Sequence, residues 1–278
     1  MAVRIITDST CDLSPDIIKQ LDITVLPTYL LFGTESYRDQ IDITTDEFYR
    51  KLLKEPVYPT TSQPTPQDFL DAFDGASKSA DGIICVDISA RLSGTINSAE
   101  QAKKITLVTV PVEIIDSETV SMSLGLLVAA AAKMAKNGGT MAEIAEATRR
   151  MVPYCRLIIL FDTLEFLAKG GRIGKVKSLL GSILNVKPIV MIKDGELVPS
   201  GQVRNRARGK DRLLEYINGF SGVQSAAVLY STTPDEANEL ADKITVVPRN
   251  EIMVNRVGPV IATHAGPGVL GIAALLKS

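Results

Sequence analysis

Gly82-Ile83-Ile84-Cys85-Val86-Asp87 is an apolar run that leads through Leu92-Ser93-Gly94-Thr95 into a helical pattern over Thr95–Lys104. A run this short and this continuous predicts a strand covered on both faces. The same order recurs on either side of it. Val3–Thr7 is a short apolar strand that turns at Asp8-Ser9-Thr10, and Ser14-Pro15 then caps a helix. Ile23–Phe32 has strand character and precedes a helix within Ile41–Glu55, capped by Thr44 or Thr45, with Phe48, Leu52 and Leu53 on one face. A helix over Gln67–Ala80 follows Thr60-Thr61-Ser62-Gln63-Pro64-Thr65-Pro66. Val112–Asp116 leads into an apolar helix from about Thr119 to Asn137, stopped by Gly138-Gly139. Thr140 with Glu143 then forms a capping box for Met141–Met151. Strands that alternate with helices imply a parallel sheet covered on both faces, with ligands held beyond its carboxyl ends.

From about residue 153 the rhythm changes. Cys155–Phe161 is a strand, Leu164–Lys169 a helix ended by Gly170-Gly171, and Ser178–Leu184 a short apolar helix. Lys187–Lys193 and Glu196–Val203 form a hairpin about Asp194-Gly195. The basic helix Arg206–Asn218, the strand Ala226–Ser231, the helix Pro234–Lys243 and the strand Glu251–Val257 come next. Gly258-Pro259 opens a turn into Thr263-His264, and Val269–Leu276 closes the chain as a strand. A hairpin mixed with crossovers predicts an α+β domain with a mixed sheet. The expected organisation is an N-terminal α/β domain over residues 1–152 and a C-terminal α+β domain over residues 153–278.

Composition narrows the function. The 278 residues carry a net charge of -2 and no Trp, which leaves neither a basic footprint nor stacking platforms for nucleic acid. Cys11, Cys85 and Cys155 are far apart and odd in number, which points to free thiols and a cytoplasmic setting. The first residues lack the basic and apolar regions of a signal peptide, and Leu124–Met134 is too short to span a bilayer. No membrane insertion is expected.

Three loops stand out as ligand-holding candidates: Thr60–Pro66, Leu92–Ala99 and Thr263–Gly268. Hydroxyls at a helix start can hold an oxygen-rich anion, because free N–H groups and the helix dipole favour negative charge there. Such loops also serve as plain helix caps. His264 is the only histidine, which excludes multi-histidine metal sites and leaves one acid or base for serine chemistry. Gly170-Gly171-Arg172-Ile173-Gly174-Lys175 fails as a phosphate loop, since Val176 stands where Ser or Thr is needed. The first strand carries no dinucleotide fingerprint, and there is no GxSxG elbow. Asp8, Asp87 and Asp116 end strands but form no tight acidic cluster, so no metal or cofactor is expected. The aliphatic segments Leu124–Ala132 and Ser178–Ile192 are expected to back the hydroxyls with an apolar cavity, a combination that suits an amphiphile such as a fatty acid.

These motifs stand in an order that resembles the DegV family of bacterial fatty acid-binding proteins. The resemblance is carried by Asp8-Ser9-Thr10, Thr61-Ser62-Gln63-Pro64, Leu92-Ser93-Gly94-Thr95 and Leu164-Glu165-Phe166-Leu167. It continues through Gly170-Gly171-Arg172-Ile173-Gly174, Leu184-Asn185-Val186-Lys187-Pro188 and Thr263-His264-Ala265-Gly266-Pro267-Gly268, covering residue 3 to about 272. It implies a long-chain fatty acid in a tunnel between two domains. It further implies that the carboxylate is presented to a separate fatty acid kinase, which makes an acyl phosphate for phospholipid synthesis, so that the carrier is not itself an enzyme. By this resemblance Thr61 and Ser93 hold the carboxylate, Ser62, Gly94, Thr95, His264 and Gly266 line or support the site, and Arg172 and Arg204 meet the kinase. The rival reading is a serine-dependent acyl hydrolase or kinase subunit that uses Ser93 or Ser62 with His264. A regulatory domain with an incidental pocket is a third.

Overall fold

In the computed structural model, which describes residues 2–54, 57–179 and 186–277, the strand–helix alternation of the first half builds the expected parallel sheet. The first half comprises β1 (Val3–Asp8), α1 (Pro15–Leu21), β2 (Thr24–Leu26), β3 (Tyr29–Phe32), β4 (Glu35–Arg38), α2 (Thr45–Lys54) and β5 (Thr60–Ser62). It continues with α3 (Pro66–Ser77), β6 (Gly82–Asp87), α4 (Thr95–Ile105), β7 (Val112–Asp116), α5 (Met122–Lys136) and α6 (Met141–Met151). The second half comprises β8 (Cys155–Leu160), α7 (Glu165–Lys169), β9 (Lys187–Lys193), β10 (Glu196–Val203) and α8 (Arg206–Asn218). It ends with β11 (Val223–Tyr230), α9 (Pro234–Asp242), β12 (Ile252–Arg256), α10 (Pro259–Ala265) and β13 (Leu270–Leu276).

Four strands in the order β2-β1-β6-β7 pair in parallel. Six strands in the order β10-β9-β8-β13-β11-β12 form the mixed sheet, antiparallel except for β11 with β12. Period-two alternation sends each strand's side chains to two cores. Ile84 and Val86 of β6 face inward with Leu157 and Ile159 of β8, while Ile83 and Cys85 join Phe69 and Phe73 beneath α3. Ile158 and Leu160 turn the other way, toward Leu213 and Ile217 of α8. Between the sheets lies α5, which packs on β1 and on β8, β11 and β13. Leu124, Leu127, Val128 and Ala131 are fully buried there, so a helix apolar all round is what the position requires.

Several expectations need correction. Ile23–Phe32 is not one strand. Pro27 offers no N–H to a ladder, and the chain breaks there, giving β2 to the parallel sheet and β3 to a separate three-stranded sheet in the order β4-β3-β5. Thr60–Ser62 is therefore not a loop but an edge strand, with Thr61 opposite Leu30. Of the rest of that stretch, Thr65 forms a capping box with Asp68 at the start of α3. Leu53 is 70% exposed, and Tyr49 takes its place beside buried Phe48. Gly258-Pro259 opens a short helix rather than a turn, so His264 rides on the last turn of α10. The helix expected over Ser178–Leu184 lies mostly outside the described residues, as does part of Leu184–Pro188; Gly174–Leu179 is 3-10 helix. Among the described residues, no helix is long and apolar enough to cross a membrane.

Candidate functional site

A cavity of about 90 Å³ opens between the carboxyl end of the parallel sheet and the inner face of the mixed sheet. Its inner walls are apolar: Ile88 and Val120 from the first half meet Ile159, Leu197, Leu229 and Val269 from the second. Polar groups collect at the outer end, where Thr61, Ser62, Gln63, Ser93, Arg172 and His264 line the cavity and are partly exposed. Three further hydroxyls, of Thr10, Thr28 and Ser121, line it deeper inside. They bond to the buried carboxyls of Asp8, Asp39 and Asp12 respectively.

The outer end is assembled from four segments. Thr61 comes from β5, Ser93 from the turn before α4, Arg172 from the segment after α7, and His264 from α10. The Thr61 hydroxyl lies 2.8 Å from His264 Nε2. Burial holds the imidazole well below its usual range, at about 4, and the Arg172 guanidinium adds to the effect. The ring is thus neutral at pH 7, and its buried Nδ1 has no partner among the described residues. An orphaned acceptor is better tolerated than an orphaned N–H, so the proton belongs on Nε2 and is donated to the Thr61 oxygen. Thr61 then has its own hydroxyl hydrogen free to give to a ligand oxygen.

Ser93 bonds to the Thr95 hydroxyl at 2.9 Å. It immediately precedes Gly94, which begins the 11-residue α4 without a side-chain cap, so the helix's free N–H groups and positive dipole end stand beside it. Arg172 donates to the carbonyls of Leu92 and Gly170 and makes no ion pair with an acid among the described residues. It is the one charged residue in the described lining. The result is an end rich in donors, with a guanidinium and, among the described residues, no carboxylate.

Of the residues expected from sequence, Thr61, Ser62, Ser93 and His264 line the cavity, whereas Gly94, Thr95 and Gly266 do not. Thr95 is buried and supports Ser93, and Gly266 ends α10 at φ +77 by bonding back to Ala262. Arg172, expected to meet a partner, stands in the cavity itself; Arg204 is exposed at the end of β10, outside it. Leu124–Ala132 does not back the cavity but fills the core between the sheets. The apolar walls come instead from single residues on many elements. Ile159, Leu197 and Leu229 alternate with residues of the opposite face along their strands, and Ile88, Val120 and Val269 lie in connections just outside strands, so no contiguous segment could signal them. No hydrogen bond joins His264 to Ser93 or Ser62 among the described residues, and no carboxylate orients its Nδ1. A serine–histidine–acid relay is therefore not assembled.

The neutral imidazole carries a pH dependence. In the unfolded chain the ring takes a proton below its ordinary value of 6.5, but in the folded chain only near 4. The stability it contributes is thus complete above 6.5 and falls as pH drops from 6.5 to 4. Chemical denaturation across that window is expected to show wild type losing about 3 kcal/mol more than His264→Gln.

The profile of the DegV family of uncharacterised proteins matches residues 2–277. The chain belongs to the DegV family. A DegV domain-containing protein of Caldanaerobacter subterraneus is 34% identical over 275 residues, 97% of each chain. One of Streptomyces coelicolor is 35% identical over 276 residues, again 97% of each. Among solved structures, the chain is similar to a DegV family protein of Thermus thermophilus described for its fatty acid binding, with a TM-score of 0.92, 32% identity and all of both chains covered. It is similar also to DegV of Bacillus subtilis, described as a fatty acid binding protein, with a TM-score of 0.86 and 29% identity over all of both chains. A stearic acid-binding protein of Eubacterium ventriosum aligns with a TM-score of 0.89 at 27% identity over 99% of this chain and 98% of its own.

Proposed function

We propose that this DegV protein binds a long-chain fatty acid, with the carboxylate at the Thr61–His264–Ser93 end and the acyl chain between the two halves, residues 1–152 and 153–278. The observation that carries the reading is the polarity of one cavity: donors and a lone guanidinium at its outer end, aliphatic walls within. Each buried methylene of the chain contributes about 0.8 kcal/mol, so a head held by hydrogen bonds suffices for tight binding. The fatty acid-binding descriptions of the Thermus and Bacillus relatives support the same ligand class. Titration with a fatty acid and with the alcohol of equal chain length tests the role of the carboxylate. The acid is expected to bind about ten-fold to a hundred-fold tighter, the worth of one or two hydrogen bonds to a charged group; equal affinities would contradict the reading.

The bound acid is presented to a separate fatty acid kinase, which converts it to an acyl phosphate for phospholipid synthesis. The protein itself is a carrier, not an enzyme. Ser62, beside Thr61, stands where a partner approaching the mouth would meet it, and Arg172 would face both carboxylate and partner. Arg204, exposed beside Arg208, offers the partner a second cation. Arg204→Glu is expected to leave fatty acid affinity unchanged while lowering acyl phosphate formation by a fatty acid kinase supplied with ATP. A loss of fatty acid affinity in that variant would place Arg204 in the lipid site instead.

A further inference from the structure

Beneath the cavity lies a carboxylate that the binding scheme above does not use. Asp39 follows β4 and is 2% exposed. Its Oδ2 accepts from the Ser9 hydroxyl at 2.7 Å and from the Thr28 hydroxyl at 3.4 Å. Its Oδ1 accepts the backbone N–H of Val260 at 3.3 Å, across 221 residues of sequence. Val260 is in the first turn of α10, a helix whose N-cap, Gly258, has no side chain to offer. An acid supplied from elsewhere in the fold meets that need.

These bonds close a ring. From Asp39 one path runs through Val260 and a single turn of α10 to His264, and from there to the Thr61 hydroxyl. The other runs through Ser9, whose oxygen takes the Thr28 N–H at 3.1 Å and meets the Thr28 hydroxyl at 2.7 Å, and from Thr28 into β3, where Leu30 pairs with Thr61 on β5. Both paths end at the same two side chains. We propose that Asp39 is the positioning residue of the head-group clamp, tying the start of α10 to the start of β3 and thereby fixing the His264–Thr61 pair. It touches no ligand and acts only through that pair. Asp12 grips the adjacent Gly258 N–H at 2.8 Å but bonds to Ser121 rather than to β3, so it anchors α10 without closing the ring.

Because the chain has one histidine, NMR of the imidazole reports this geometry without overlap. Asp39→Ala is expected to weaken fatty acid binding by about ten-fold or more. It should also move the His264 imidazole pKa from about 4 toward the ordinary 6.5, as α10 shifts and water reaches the ring. Asp39→Asn should restore both, since an amide oxygen can accept from Val260 and an amide N–H can donate to Ser9 or Thr28. Asp87→Asn serves as the comparison: Asp87 is equally buried at the end of β6 but bonds to neither Asp39 nor α10 among the described residues. Its stability is free to change, but its His264 titration should match wild type. Should Asp39→Ala fail to fold, Ser9→Ala loosens the same grip and should shift the imidazole in the same direction by less.

The proposal is overturned if Asp39→Ala, or Ser9→Ala in its place, leaves the His264 titration at the wild-type value. It is overturned equally if Asp87→Asn moves the titration as far. The affinity readout rests on the fatty acid reading and the imidazole readout does not. Wild-type protein that binds no fatty acid would sink the former while the latter still decides the role of Asp39.

Discussion

Gly170→Ala is expected to weaken the fatty acid binding proposed for this protein. A Cβ on Gly170 would stand 2.1 Å from His264 Nδ1 and 2.8 Å from Cε1, far inside contact distance. The backbone itself would accept alanine, since Gly170 caps α7 in ordinary right-handed geometry. The strain therefore falls on the imidazole. Because α10 is held at its start by Asp12 and Asp39, the ring can yield only by turning away from Thr61. Turned, it loses the bond that holds the Thr61 hydroxyl in orientation. Fatty acid affinity is expected to fall by about ten-fold to a hundred-fold, and stability by about 1–3 kcal/mol from overpacking. Gly171→Ala is the control: its φ of +72 makes alanine strained, but nothing lies within 4 Å of the new methyl. It should cost about 1 kcal/mol of stability and leave binding intact. If Gly170→Ala binds as wild type does, the His264–Thr61 bond does not hold the carboxylate.

Gly125→Ala should be among the most destabilising single-methyl additions in the chain. At an ordinary helical position this change gains about 1 kcal/mol. Here the added Cβ would lie 2.5 Å from the Cys11 carbonyl oxygen and 3.1 Å from the Leu13 side chain. The obstacle is backbone, in the 3-10 turn Ser9–Cys11, and that turn is pinned on both sides by the buried bonds of Ser9 and Asp12. It cannot step aside without disturbing the floor of the cavity. A net loss of about 2 kcal/mol or more of unfolding free energy is expected from urea denaturation. A gain in stability would mean that α5 does not lie as closely against the strand ends as described.

The two positions also show what the sequence could and could not disclose. The strand–helix alternation and the Asp194-Gly195 hairpin are local signals, each written in a few adjacent residues, and both sheets followed from them. The break at Pro27 was equally local, but a strand split between two sheets reads as one apolar run until its partners are known. The three-stranded sheet depends on which segments meet, so Thr60–Ser62 reads as a loop. In the site, hydroxyls and the lone histidine are conspicuous, and four of the expected site residues, Thr61, Ser62, Ser93 and His264, line the cavity. The cavity walls were not legible, because Ile159, Leu229 and Val269 look like any core residue until the two sheets face each other. Asp39 was invisible for a related reason: its role lies in a contact with Val260, 221 residues away. The resemblance supplied the ligand class that the residues alone left among several amphiphiles.

A carrier of the kind proposed holds its fatty acid by the carboxylate in the cavity between the sheets, without turnover. Mass spectrometry of protein purified natively and then denatured tests it most directly. One intact acyl chain released per protein chain is expected, with a markedly lower yield from Ser93→Ala. Protein that releases no acyl chain, or that consumes an acyl substrate by itself, would contradict it.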